Sequence, residues 1–384
     1  MKRNLWVILI LLVFFGCQKN NFAEKDVYDA VVVGGGMAGL SAAYNLKNEL
    51  GENAKILLLE KENRLGGRIL TRKFGEYSYE LGATFAYTKL LAPKNFQMPE
   101  LIVEPDRYGK YAKGELTFSE NMPSYMAKLT GLSNFFGDEK QNGKYEYISY
   151  RVGGNGEMIK AYEKELAGRF LTNAKVLSVA QTKDHLQIVY KKEGKESEVK
   201  AKTVIVATPA TTARKIIKNM NEESEKFLKS IRYRKIMVVN FIADLGEDHD
   251  FAYIAGEKLM LFPQKTKNKG IVSLYCYIYD RFVQEKDFDH VDFAKKALLE
   301  MGVLNEKTKI LHTDSYFWKE EGIVFSSETY KNFSENALNP LSGVFLAGDY
   351  TFWEEHQIPY GMPPAYFSGE SAARKASEYL KKSK

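Results

Sequence analysis

Gly34, Gly36 and Gly39 stand at Gly-x-Gly-x-x-Gly spacing, Glu60 follows the last of them by 21 residues, and Arg64-Leu-Gly-Gly-Arg68 comes next. These residue types at these distances suit the binding of a dinucleotide. Gly34 lets the chain leave a strand in a tight turn, and Gly36 removes a side chain that would block a pyrophosphate. Gly39 lets the following helix approach the sheet closely, with its free N–H groups and partial positive charge toward the phosphates. Glu60 can accept hydrogen bonds from an adenosine ribose, and its charge would repel a 2′-phosphate, which disfavours NADP.

Such a loop works only between the elements that hold it. Ala30–Val33 reads as the strand before the turn, Leu40 to about Leu50 as the helix after it with Gly51 as its C-cap, and Ile56–Leu59 as the second strand, ended by Glu60. Residues 93–150 are polar, aromatic and broken by Pro99, Pro105 and Pro123, and read as helices and loops outside a sheet. Beyond Gly153-Gly154-Asn155-Gly156, Ile159 to about Gly168 has a helical pattern. Strands follow at Val176–Val179, Leu186–Tyr190, Glu198–Ala201 and Thr203–Ala207, then a helix around Ala210–Ile217. Ile236–Ile242 and Ile271–Tyr279 read as strands of a second sheet, and Phe293–Met301 as a helix. Val344–Thr351 is a strand running into a glycine turn, and Ala365–Leu380 is an amphipathic helix.

The 384 residues are 45% hydrophobic and 27% charged, which is ordinary globular composition for one large core or two linked ones. The net charge of +6 falls to +4 once Lys2 and Arg3 are removed with a leader (6 − 2), and the lysines are scattered, so nucleic acid is not an expected partner. The 24 Tyr and 23 Phe either line an aromatic cavity or reflect a compositional bias. Five scattered His and two Cys give no metal-site pattern.

Lys2-Arg3 precedes an apolar run, Leu5–Phe15, that is too short to span about 30 Å of hydrocarbon but suits a secretory leader. Phe14-Phe15-Gly16-Cys17 resembles a bacterial lipobox, with Phe where Leu is usual. Read so, Cys17 is the lipidated N-terminus, Gln18–Lys25 is a tether, and the protein is a membrane-anchored lipoprotein of the cell envelope facing the periplasm or exterior. An ordinary signal peptide or an uncleaved anchor is the alternative. Only Cys276 then remains, so no intrachain disulfide is expected, and with no twin-arginine pattern a cofactor would be acquired after export.

The order of Gly34–Gly39, Glu60, Arg64-x-Gly-Gly-Arg68, Glu80-Leu-Gly-Ala-Thr84, Thr203–Pro209 and Val344–Thr351 resembles that of the FAD-dependent amine oxidase superfamily. That superfamily includes monoamine and polyamine oxidases, protoporphyrinogen oxidases and carotenoid desaturases. The resemblance implies an α/β fold, with a Rossmann-like FAD-binding domain assembled from residues 27–92, 151–218 and 336–384. An inserted α+β substrate domain would comprise residues 93–150 and 219–335, with residues 1–16 a signal peptide and 17–26 the tether.

The resemblance also implies site roles. Met37 and Ala38 belong to the glycine turn, and Glu60 would be the ribose ligand. Arg64, Gly67 and Arg68 would lie on the pyrophosphate or flavin side. Gly82, Ala83 and Thr84 would run along the flavin, the Val176 backbone would meet the adenine, and Gly348-Asp349 would sit near the ribityl phosphate. Met362 and Ala365 open a helix whose N-terminus would face the flavin pyrimidine edge, where its dipole favours gathering negative charge. Here the usual Met-Glu-Gly-Ala is Met362-Pro363-Pro364-Ala365, and each proline removes an N–H.

Gly153–Gly156 lacks a preceding strand and a following acid, so no second nucleotide site feeds the flavin, and a NAD(P)H-fed reductase is disfavoured. Hydride transfer from a substrate to flavin N5 is expected, with dioxygen or a quinone as acceptor and, for dioxygen, peroxide as product. Lys235, before an apolar strand, matches the family lysine that holds a water beside the ring; otherwise it is a solvated member of the cluster Arg232, Arg234 and Lys235. The family's amine-clamping aromatic falls at Gly361, one place after Tyr360. Tyr360 and His356, with Trp353, follow the Asp349 turn and are the candidate substrate contacts. The expected substrate is a small amine. The alternatives are an apolar substrate for a protoporphyrinogen-oxidase-like or carotenoid-like desaturase, or a non-catalytic flavin-binding lipoprotein.

Overall fold

Val27–Val33 is buried on both faces from Ala30 onward, as a central strand with parallel neighbours must be. Full burial of each such valine contributes about 1.5–3 kcal/mol. The computed structural model describes residues 27–84, 91–94, 96, 101–102, 107–119, 150–151, 153–247, 252–283, 288–324, 326–351 and 361–383.

Two large sheets organise the described residues. In the first, Val27–Val33 pairs in parallel with Ile56–Leu59 on one side and Lys195–Val206 on the other. Phe170–Leu171 extends the sheet beyond Ile56–Leu59, and Val344–Leu346 adds in parallel to Lys195–Val206. Ala174–Gln181, Leu186–Lys192 and Lys195–Val206 form an antiparallel meander. Alternate residues feed two cores. Val31, Val33, Val204 and Val206 face the helices Ala210–Ile216 and Glu222–Ser230. Ala30, Val32 and Ile205 face the first helix, Met37–Leu50, the helix Gly156–Glu165 and the last helix, Met362–Lys382.

The second sheet runs in the order Lys309–Trp318, Ile236–Asp244, Ile271–Ile278, Leu259–Lys265, Ala252–Ala255, Arg107–Ala112 and Glu115–Ser119. Val239, Phe241 and Ala243 cover the helix His290–Glu300, while Ile236, Val238 and Ile242 pack with Leu70, Tyr79 and Leu81 from the first third of the chain. That second face therefore lies on the hairpin Thr71–Phe74/Tyr77–Glu80 and brings the two sheets together at residues 80–84.

The α/β class expected from the sequence is present, with both parallel and antiparallel pairings. Several boundaries differ. The first helix begins at Met37 because Gly36 already serves as its N-cap, and the last helix takes in Met362, Pro363 and Pro364 because proline is tolerated in a first turn. The two expected strands Glu198–Ala201 and Thr203–Ala207 are one continuous strand, Lys195–Val206. Residues 107–119 were expected outside a sheet, yet they form the Arg107–Ala112/Glu115–Ser119 hairpin at the edge of the second one. A mostly polar hairpin at a sheet edge gives little hydrophobic alternation to read.

Candidate active site

At Gly34 the backbone takes φ +104°, and a Cβ there would lie 2.5 Å from the Ala207 carbonyl oxygen, so the turn out of the first strand requires glycine. Gly36 caps the first helix without any side-chain hydrogen bond, and no acid stands in its first turn. The N–H groups of Met37, Ala38 and Gly39 thus present an uncompensated dipole end. A Cβ built on Gly36 would reach no atom closer than Gly67 Cα at 3.9 Å and would fill the cradle before the helix. This donor set and this cradle fit the pyrophosphate of a dinucleotide.

Glu60 is buried and holds its carboxylate against the same turn. Oε2 accepts from the Gly35 N–H at 2.5 Å, and Oε1 accepts from the Glu62 N–H at 2.8 Å. A carboxylate has about four acceptor positions, so capacity for ribose hydroxyls remains. The Ala174 N–H donates to the Glu60 carbonyl at 2.8 Å, which brings the start of the Ala174–Gln181 strand to this point. The register shifts between Val176 and Ser178, a bulge of the kind that leaves a residue out of the ladder. Glu60 and Val176, 116 positions apart in the chain (176 − 60), thus lie at one end of the glycine turn.

Arg64 turns back onto its own loop. It donates to the carbonyls of Leu65, Gly67 and Ile69 at 3.1, 2.7 and 2.8 Å, and so shapes the loop that presents Arg68. Gly67 abuts Gly36, and the Gly66 N–H donates to the Gly35 carbonyl at 2.8 Å, so the two glycine loops form one surface. Arg68 pairs with Asp349 at 2.8 Å and donates to the Glu321 carbonyl. Burial opposes the Arg68 charge, but the Asp349 carboxylate outweighs it and raises the guanidinium pKa further.

The segment Gly82–Thr84 is tied down on every side. The Ala83 N–H donates to the Arg68 carbonyl at 2.9 Å, and the Tyr275 hydroxyl donates to the Gly82 carbonyl at 2.9 Å. Asn155 donates to the carbonyls of Ala83 and Thr84 at 2.8 and 3.2 Å. Asn155 in turn donates its N–H to Glu80 at 2.6 Å, and the Thr71 hydroxyl donates to the same buried carboxylate. The Gly153–Gly156 turn, which lacked nucleotide-binding context in the sequence, is the brace for this segment.

The last helix reaches the glycine turn through close backbone contact. A Cβ on Gly369 would lie 2.1 Å from the Ala38 carbonyl oxygen. Ser41 donates to the Tyr366 carbonyl at 2.8 Å, and the Gly348 N–H donates to Ser368 at 2.9 Å. At the start of this helix Met362 and Ala365 are buried, the two prolines carry no N–H, and the Ala365 N–H goes to the Gly361 carbonyl at 3.3 Å. Met362 is left as the donor of this first turn.

Lys235 is exposed, directly before the Ile236–Asp244 strand. Its neighbour Ile236 lies opposite Trp318, whose indole donates to the Leu81 carbonyl at 2.6 Å, so Lys235 sits at the end of the second sheet that meets Leu81. Cys17, Trp353, His356 and Tyr360 lie outside the described residues. Among the described residues, no group of three His, Cys, Asp or Glu side chains gathers in a metal-binding cluster.

Sequence reasoning missed Asn155, Tyr233 and Glu321. Tyr233 accepts from the Ala210 N–H at 3.0 Å, and burial, then Asp349, pushes its hydroxyl pKa up. Burial likewise pushes the Glu321 carboxyl above the usual carboxylate range, against the pull of Arg68 and Arg234. The only sequence signal for Glu321 was a pair of acids before Gly322, which reads as solvated surface.

Residues 32–90 match the NAD(P)-binding Rossmann-like domain, and residues 100–377 match the family of flavin-containing amine oxidoreductases. The chain belongs to that family and is a flavin-dependent oxidoreductase with FAD as its cofactor. It is similar to (S)-6-hydroxynicotine oxidase of Paenarthrobacter nicotinovorans, 41% identical over 86 residues that cover 22% of this chain and 18% of that protein. L-amino-acid oxidase of Demansia vestigiata is 22% identical over 87% of this chain and 85% of that protein. Cyclohexylamine oxidase from Brevibacterium oxydans shares the fold with a TM-score of 0.73 at 14% identity, covering 93% of this chain and all of that one.

Proposed function

We propose that this protein oxidises a C–N bond of a small amine, with dioxygen as the electron acceptor and peroxide as the product. FAD, when bound, supplies the hydride-accepting ring. The observation that carries the reading is the joining of the two halves of the site. The glycine turn, Glu60 and the Arg68–Asp349 pair lie on one sheet, and the second sheet packs on the Leu81–Thr84 segment beside them.

The chain's residues divide the work. Gly36, Gly39 and the first helix hold the pyrophosphate, and Glu60 with the Val176 backbone holds the adenosine end. Gly82–Thr84, fixed by Asn155 and Tyr275, would lie along the ring. Arg68 and Asp349 would hold charge near the ribityl phosphate, and Met362 and Ala365 open the helix that would face the pyrimidine edge. Lys235 would orient a water at the edge of the second sheet, and Tyr360 and His356, outside the described residues, are the substrate contacts that the family resemblance offers.

A cavity of about 410 Å³ opens on the second sheet between Tyr111, Arg234, Tyr277 and Tyr279, with Lys110 and Arg281 also in its wall. A chamber lined by Lys110, Arg234, Arg281, Glu257 and Asp280 supports a charged or polar substrate over an apolar polyene. Anaerobic mixing of the yellow protein with primary amines, secondary amines and amino acids tests the proposal. Bleaching of the visible flavin band by one of these classes, followed by peroxide release on admitting air, is the expected result. Bleaching only by a lipid-soluble polyene or porphyrinogen, or by no donor, would sink it.

We also infer that Cys17 carries a lipid that holds the protein on the outer side of a bacterial membrane, from the lipobox-like residues before it.

A further inference from the structure

Glu321 is fixed by its backbone from two directions. Its N–H donates to the Arg234 carbonyl at 3.0 Å, and its own carbonyl accepts from Arg68. Its side chain reaches toward the second sheet, where Oε2 lies 3.5 Å from the Tyr277 hydroxyl. Tyr277 and Arg234 both line the 410 Å³ cavity. One phenol thus links the cavity to a carboxyl group beside the Arg68–Asp349 pair. The neighbouring acid, Glu320, is engaged elsewhere, by the Thr211 hydroxyl.

An alkylammonium ion has a pKa of about 10, close to that of a lysine side chain, and reaches a neutral-pH enzyme protonated. A hydride leaves the adjacent carbon readily only when the nitrogen has a free lone pair. We propose that Tyr277 and Glu321 together take the proton from a substrate ammonium in this cavity. The inference rests on the amine reading above. Tyr277 touches the substrate: its oxygen accepts the ammonium proton while its own proton passes to Glu321 Oε2. One N–H bond and one O–H bond break, two O–H bonds form, and no electrons are transferred.

The groups facing Glu321 are Arg68 from the glycine-rich loop, Arg234 before the Ile236–Asp244 strand, Asp349 after Val344–Leu346, and Tyr277 on Ile271–Ile278. Burial and Asp349 favour the protonated acid, and the two arginines oppose them, with burial dominant. A carboxyl group raised in this way accepts a proton only above its own pKa. Flavin reduction must therefore slow as pH falls through a value higher than the ordinary glutamate range of about 4.3.

The test is the pH dependence of anaerobic flavin bleaching in the holoenzyme, with benzylamine and n-butylamine as probes. The wild type shows an acid limb above the ordinary carboxylate range. Glu321→Gln loses that limb and slows about 100-fold at neutral pH, Tyr277→Phe slows similarly, and Glu321→Asp restores part of the rate. A second readout needs no turnover. Infrared titration shows a protonated-carboxyl band at pH values where exposed acids are ionised, and Glu321→Gln removes it. An unchanged pH profile in Glu321→Gln, or no such band in the wild type, overturns the inference while leaving amine oxidation intact. Failure of every amine to bleach the flavin overturns both.

Discussion

A Cβ added at Gly39 would lie 1.8 Å from the Gly34 carbonyl oxygen, whereas one added at Gly36 would point into the cradle, 3.9 Å from Gly67 Cα. The two positions carry the same residue for different reasons, and alanine at each separates them. Gly39→Ala forces backbone apart in a packed turn and should cost about 3 kcal/mol or more, read as a lower denaturant midpoint. Gly36→Ala is compatible with its φ of −75°. The flavin-free protein should keep its stability within about 0.5 kcal/mol while its flavin-to-protein absorbance ratio collapses. Equal loss of stability in both variants would show that Gly36 serves packing and not the cofactor. At this scale the sequence was informative, because the spacing of the three glycines marks both the tight turn that Gly39 packs into and the cradle that Gly36 leaves open. Glu321 was not legible, since its burial and its Arg68 and Tyr277 neighbours come from segments far apart in the chain.

The last helix and the first helix touch where Gly369 meets Ala38, and that contact sets how closely the Gly348–Asp349 turn approaches the glycine loop. Gly369→Ala must separate the two backbones, which typically costs about 1–3 kcal/mol in a packed interface. Because Ser41–Tyr366 crosses that interface and Gly348–Ser368 ties the neighbouring turn to the same helix, flavin retention should fall with stability. Thermal melts with and without added FAD would show it. If the ligand-induced shift equals that of the wild type, the helix contact does not position the cofactor. The apolar run Ala30–Val33 and the amphipathic pattern Ala365–Leu380 were readable as a strand and a helix from their hydrophobic spacing. The Arg107–Ala112/Glu115–Ser119 hairpin was not, because the parallel pairing that places it, with Ala252–Ala255, joins segments about 145 residues apart (252 − 107).

For the molecule as a whole, the proposed membrane attachment rests on Cys17 and the apolar run before it. Among the described residues no helix is long and apolar enough to cross a bilayer. If Cys17 is acylated, labelled palmitate should enter the wild type and not Cys17→Ser, and the variant should leave the membrane fraction on cell lysis. Labelling of Cys17→Ser to the wild-type level would overturn the anchor. A single lipid modification site has little bearing on the catalytic core, so the variant should retain its flavin and its rate with benzylamine.

The first sheet places Lys195–Val206 between the opening strand and Val344–Leu346, and the last helix covers the first. The segments that close this site, Val344–Leu346 with Asp349 and the Met362–Lys382 helix, leave the ribosome about 300 residues after the glycine turn (344 − 39). A nascent chain with Gly34–Gly39 already outside the exit tunnel still lacks Asp349 and the final helix, so it cannot grip its cofactor. Any truncation that trims the Met362–Lys382 helix should yield colourless protein however much of the rest has folded.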